Sequence, residues 1–152
     1  MKISLKKYYA WFLLFCFLMT CISGVLATVL PRELSLVFMV LPYLVSMIAV
    51  LYLFLKQHRR APTVEERKRF TLSLNLLFWL FNLSGFFLGL LWTSFSEPEI
   101  WQYTIKMLFQ PATLMIIGLF FIVIALPLIA VTFWFYGKQA ERMALKMFGH
   151  RY

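Results

Sequence analysis

Few residues of this chain could do chemistry, and their spacing works against them. Cys16 and Cys21 lie five apart in one apolar run. That step puts them on different faces of a helix, so a disulfide would need a broken helix, and two thiols alone make no metal site. They read as small polarizable packing residues. Glu97 and Glu99 have the form of a paired-carboxylate acid/base site, but no second constellation accompanies them, and helix capping is the stronger reading. His58 and His150 stand in basic segments and read as solvated surface residues. The sequence contains no Walker loop, HExxH, GxSxG or Cys/His metal spacing. The expectation is therefore no catalytic residue, no metal ligand and no cofactor. A site completed by a partner subunit is the one enzymatic alternative.

The remaining polar residues of interest sit inside apolar runs. Cys16, Thr20, Gly24 and Thr28 recur at four-residue steps, and Asn75, Asn82, Gly85 and Gly89 share a related face further on. Small residues let helices approach closely in lipid, and amides there need partners. Thr20, Gly24, Asn75, Asn82, Gly85 and Gly89 are thus the candidate packing or polar seam. Generic bundle packing is the leading reading and a substrate site lined by Asn75, Asn82 and Thr20 the other. Pro42 and Pro127 each free a carbonyl four residues earlier, on Phe38 and Val123, and should kink their helices. Asn82 stands at nearly the depth of Val123, so a bond from Asn82 to that carbonyl is expected.

The elements that must position these residues are plain. Four apolar runs, at about 8–30, 34–55, 71–92 and 112–136, contain no Asp, Glu, Lys, Arg or His. Each reaches the ~20 residues that cross a hydrocarbon core as a helix, and backbone amides in lipid must be satisfied within the segment. Apolar residues make up 62% of the 152, more than a soluble domain of this size could bury. Lys2, Lys6 and Lys7 precede the first run, as in a signal peptide, with Val25-Leu26-Ala27 as a cleavage site. The run is longer than a usual signal core, so a retained anchor is expected. A lipoprotein reading of Leu18-Met19-Thr20-Cys21 is weaker, with bulky residues where small ones are wanted.

Orientation follows from the basic residues. Of the 15 Lys and Arg, all but Arg32 and Lys106 fall in the N-terminus, the 56–70 connection or the tail 137–152. Four spans put those three segments on one side, and the positive-inside rule makes that side cytoplasmic. The net charge of +9 then reads as topology, and a nucleic-acid partner is set aside because no folded soluble module presents a basic face. The aromatics Tyr8, Tyr9, Trp11, Tyr52, Trp92, Trp134 and Tyr136 fall where span ends meet headgroups.

Pro31-Arg32-Glu33 is short enough to make a hairpin of spans one and two. In the 56–70 connection, Thr63 and Glu66 match a capping box, so the third helix should start near Val64. Arg59, Arg60, Arg67, Lys68 and Arg69 beside that cap are candidate contacts for anionic lipids, with topology alone as the competing reading. The outer connection 93–111 carries a second Ser96/Glu99 pair, then Trp101, Ile105, Leu108 and Phe109 at helical spacing. The tail has Ala140, Met143, Ala144, Met147 and Phe148 on one face, with Gly149 as a stop. Both read as short interfacial amphipathic helices, the tail alternatively as a docking helix.

The stretches Ala61-Pro62-Thr63-Val64-Glu65-Glu66-Arg67 and Asn75-Leu76-Leu77-Phe78-Trp79 resemble those of uncharacterised small four-span inner-membrane proteins of bacteria. The resemblance extends over nearly the whole chain and implies an inner-membrane location, with no activity or site to carry over. The expected fold is all-α: an integral-membrane four-helix bundle of two antiparallel hairpins with short interfacial amphipathic helices, one domain over 1–152. The expected role is a non-enzymatic accessory or structural component, associating with itself or another membrane protein. The alternative is a small oligomeric transporter or channel for an uncharged or lipophilic solute. An ionisable residue at membrane depth, usual in proton-coupled pumps, is missing.

Overall fold

The apolar runs fold as helices. A computed structural model describes residues 5–29, 31, 35–96 and 98–149. Its elements are α1 Lys6–Val29, α2 Ser35–His58, α3 Val64–Ser96, α4 Pro98–Leu108, α5 Pro111–Trp134 and α6 Ala140–Phe148, a π-turn at Phe135–Gln139 joining the last two. The fold is all-α, with no strand among the described residues. Four helices are long and apolar enough to cross a membrane. The 24 residues of α1 give about 36 Å at ~1.5 Å per residue, and the 33 of α3 about 50 Å. The turn residues Arg32 and Glu33, the carboxylate Glu97, the basic Lys2 and Arg151, and His150 lie outside the described residues.

The core gathers at one end, that of the 59–63 connection, called here the elbow. There Phe12, Tyr43, Phe54, Phe70, Phe78 and Tyr136 are all buried. The start of α1 meets the end of α2: the Tyr8 hydroxyl donates to Gln57 Oε1 at 2.8 Å, and its ring lies 5.5 Å from Phe54. α3 adds Phe70, 5.5 Å from Phe54 and 5.0 Å from Tyr136 beyond the end of α5. At the far end the helices present their apolar side chains outward, with Trp92 77% and Phe95 86% exposed. Such surface suits hydrocarbon, which solvates it as well as a core would.

The elbow is built by its polar residues. Arg59 closes α2 in the left-handed region, φ 51°, and its amide bonds the Leu55 carbonyl at 2.7 Å. The capping box forms as expected: the Thr63 amide donates to Glu66 Oε2 at 2.9 Å, and the Glu66 amide to Thr63 Oγ1 at 3.4 Å. Arg60 adds a bidentate pair to the Glu66 carboxylate at 2.8 and 2.7 Å. The Arg60 hydrogen bond, followed by the Thr63 amide, holds the Glu66 carboxyl below its ordinary value. A depressed folded value contributes stability above the unfolded value, near ~4.3, and that stability is lost as pH falls through the folded one. Thermal melts in detergent should therefore show an acid-side drop below about pH 4 that is smaller in Glu66→Ala. At neutral pH that variant should lose about 1 kcal/mol for the missing cap.

The tail helix α6 follows α5 through the π-turn without a break, the three together covering 38 residues, and Ala140 and Ala144 are buried against the core. The π-turn is where Arg67 of α3 reaches across: its Nε donates to the Phe133 carbonyl and its guanidinium lies 3.5 Å from the Phe133 ring centre. A helix ladder widened by one residue offers a carbonyl to such a donor. Gly137 leaves room for it, because a Cβ there would lie 2.5 Å from Arg67 Cζ. Gly149 ends α6 at φ 69°, its amide bonding the Leu145 carbonyl at 2.9 Å. At the far end, Ser96 does not cap α4. Its hydroxyl turns back to the Trp92 carbonyl at 3.2 Å, and α3 runs through to it.

Candidate functional site

Three of the long helices meet through one buried polar chain. Tyr43 of α2 stands a residue after Pro42, Asn75 lies on the inner face of α3, and Thr132 stands in the last turn of α5. All three are buried. Asn75 Nδ2 donates to the Tyr43 hydroxyl at 2.7 Å and to the Thr71 carbonyl at 2.9 Å. The Tyr43 hydroxyl makes a short bond to Thr132 Oγ1, and Thr132 Oγ1 donates to the Leu128 carbonyl at 2.6 Å. That last bond uses the only threonine hydroxyl proton, so Tyr43 must be the donor to Thr132. The chain therefore has one direction: amide to phenol to threonine to carbonyl. Tyr136 adds a parallel tie from its hydroxyl to the Met47 carbonyl at 3.0 Å.

Each of these groups is uncharged at neutral pH, and their hydrogen bonds tie α2, α3 and α5 in one register. Three buried atoms stand without a partner among the described residues: Ser23 Oγ, Asn75 Oδ1 and Trp79 Nε1. Among the same residues no three His, Cys, Asp or Glu come together. Cys16 is buried and Cys21 exposed, the opposite-face arrangement that their spacing implies.

The seam residues read from the sequence are not gathered in one place. Asn75 alone is in the buried network. Thr20 donates to the Cys16 carbonyl of its own helix at 2.7 Å. A Cβ built on Gly24, Gly85 or Gly89 would meet nothing within 4 Å, so these glycines form no close helix contact among the described residues. The expected bond from Asn82 to α5 is not made: its Nδ2 donates to the Phe78 carbonyl of its own helix at 2.8 Å. An amide of α3 finds a carbonyl one turn back without needing a partner helix. Asn82→Leu should accordingly leave the unfolding midpoint in detergent unchanged or slightly raised.

Asn82 instead borders an apolar groove of about 590 Å³ between α3 and α5. Trp79, Phe86, Ile117, Phe121 and, from α4, Leu108 supply its walls, and the Trp79 and Phe121 rings stand 4.2 Å apart. Of the basic elbow residues, Arg60 is paired with Glu66 and Arg67 is folded onto Phe133. Arg59, Lys68 and Arg69 are exposed.

Sequence reading missed Tyr43, Thr132 and Tyr136 as a network. The available signal was a tyrosine and a threonine well inside charge-free runs, where a hydroxyl needs a partner. The Arg67–Phe133–Gly137 clamp left no local signal. Neither a family model, nor a curated protein, nor a solved structure matches this chain. The fold and site define an all-helical protein with four helices able to cross a membrane and a buried, uncharged polar seam.

Proposed function

We propose that the chain is a multi-pass inner-membrane protein that serves as a non-enzymatic accessory or structural component, associating with itself or another membrane protein. In this reading the spans form two antiparallel hairpins, α1 with α2 and α3 with α5, joined by a cytoplasmic elbow. Both chain ends are cytoplasmic, and α4 lies in the outer interface with Trp101 half-buried and Tyr103 exposed. The observation that carries it is Asn75. Both of its amide protons are spent on Tyr43 and Thr71, and it lies 4% exposed within the packed seam. Glycines with open space beside them are consistent with contacts to a further helix.

A second reading, a small oligomeric transporter or channel for an uncharged or lipophilic solute, is favoured by the apolar groove beside Asn82. Crosslinking and affinity capture from native membranes, paired with reconstitution in vesicles, separates the two. The accessory role predicts a complex of fixed stoichiometry and vesicles no leakier to a lipophilic dye than empty ones. Vesicles that pass the dye, from a lone protomer or an oligomer of this chain alone, contradict it.

A further inference from the structure

A small cleft lies between the elbow ends of α1 and α2, lined by neither the polar seam nor the arginines of the elbow. Its volume is about 210 Å³, and it is lined by Lys7, Tyr8 and Trp11 from α1 and by Leu53, Lys56 and Gln57 from α2. The lining follows from helical spacing: Lys7 and Trp11 are four apart, as are Leu53 and Gln57, so each set shares a face. The two faces are tied where Tyr8 donates to Gln57 Oε1 at 2.8 Å. That bond holds the Gln57 carbonyl inward and leaves its amide NH₂ as the free end of the side chain. Lys7 and Lys56 make no ion pair among the described residues, where Arg60–Glu66 is the salt bridge formed. Among the described residues no carboxylate lines the cleft. Its polar groups are thus two lysine ammonium groups, the Gln57 amide and the Tyr8 hydroxyl, whose proton is spent on Gln57, with Leu53 and Trp11 as apolar lining. Trp11 is stacked on Phe15 at 5.7 Å and 38% exposed, as befits a ring at a headgroup boundary.

We infer that this cleft binds the phosphate of an anionic phospholipid headgroup, Lys7, Lys56 and Gln57 Nε2 taking the phosphate oxygens and Trp11 and Leu53 the first carbons of the lipid. The inference rests on the membrane reading above, which sets the elbow in the inner leaflet. Two lysines placed at one anion suit a charge without demanding the planar geometry that an arginine fork imposes. A lipid anion near each basic residue gains about fivefold in affinity, so the pair contributes about 25- to 30-fold.

The test uses the full chain in detergent, titrated with phosphatidylglycerol, with phosphatidylcholine, or with inorganic phosphate, and read by native mass spectrometry. Phosphatidylglycerol should bind and be retained. Lys7→Gln/Lys56→Gln should weaken it by about 25- to 30-fold, Lys7→Arg/Lys56→Arg should restore most of the binding, and Arg142→Gln/Lys146→Gln, exposed on the tail helix, should change it less than threefold. Unaltered retention in the Lys7/Lys56 glutamine variant overturns the site. Equal binding of phosphatidylcholine overturns the role of the lysines, and displacement of the lipid by millimolar inorganic phosphate overturns the lipid as the source of the phosphate. Helical content by circular dichroism should match wild type in every variant, since both lysines are exposed. If the chain itself left membranes without detergent, the membrane reading would fail instead, independently of any lysine variant.

Discussion

Phe70→Ala should be the most destabilising single truncation in the chain, at about 3 kcal/mol. Phe70 is fully buried and touches rings from three other segments: Tyr8 at 5.9 Å, Tyr9 at 6.3 Å, Phe54 at 5.5 Å and Tyr136 at 5.0 Å. Removing it opens a cavity where α1, α2 and the end of α5 converge on α3. The cost belongs at the low end of the ~3–5 kcal/mol seen for buried Phe in water-soluble cores, because lipid or detergent already solvates apolar rings and leaves mainly lost packing. Unfolding by denaturing detergent measures it. Phe95→Ala is the control, since Phe95 is 86% exposed and its removal should shift the midpoint hardly at all.

Gly137→Ala should cost about 2 kcal/mol, although the usual effect of this substitution inside a helix is a gain of ~0.5–1 kcal/mol. The added Cβ would fall 2.5 Å from Arg67 Cζ and 2.9 Å from Nη2. Long side chains often swing aside at little cost, but this guanidinium is held by the Phe133 carbonyl and by the face of the Phe133 ring. Displacing it forfeits a charge-assisted hydrogen bond of ~1.5–3 kcal/mol and a cation–π contact of ~0.5–2 kcal/mol. A double-mutant cycle isolates the effect. In an Arg67→Ala background, Gly137→Ala should turn neutral or stabilising, giving a coupling of about 2–3 kcal/mol. Simple additivity of the two substitutions would dissolve the clamp.

These two effects also mark where sequence reading stops. The helices were legible because charge-free runs of this length admit one backbone solution in lipid, and the start of α3 was legible because Thr63 and Glu66 satisfy each other locally. Gly149 as a stop is equally local. Ser96 and Glu99 have the same spacing as Thr63 and Glu66, yet Ser96 bonds back to Trp92. A capping box needs the chain to leave the helix first, and nothing breaks α3 before Ser96. Asn82 failed for the related reason that its own helix offered a carbonyl. The Gly85/Gly89 pattern states that a helix could approach, not which one, and none of the described residues supplies it. The π-turn depends on Arg67, 66 residues away from Phe133, so no window of tail sequence contains its cause. Of the buried seam only Asn75 was visible, because an amide in an apolar run draws notice while a tyrosine there passes as an interfacial ring.

Substituted-cysteine labelling of the full chain tests the membrane reading most directly. In a background with Cys16 and Cys21 replaced by alanine, single cysteines at Pro31, Thr63, Gln102 and Gly149 are treated in intact cells with a membrane-impermeant maleimide. The expected result is labelling of Pro31→Cys and Gln102→Cys from outside, with Thr63→Cys and Gly149→Cys reacting only once the membrane is broken. Labelling of the elbow or tail position in intact cells, or protection of both outer positions, would contradict four spans with cytoplasmic ends.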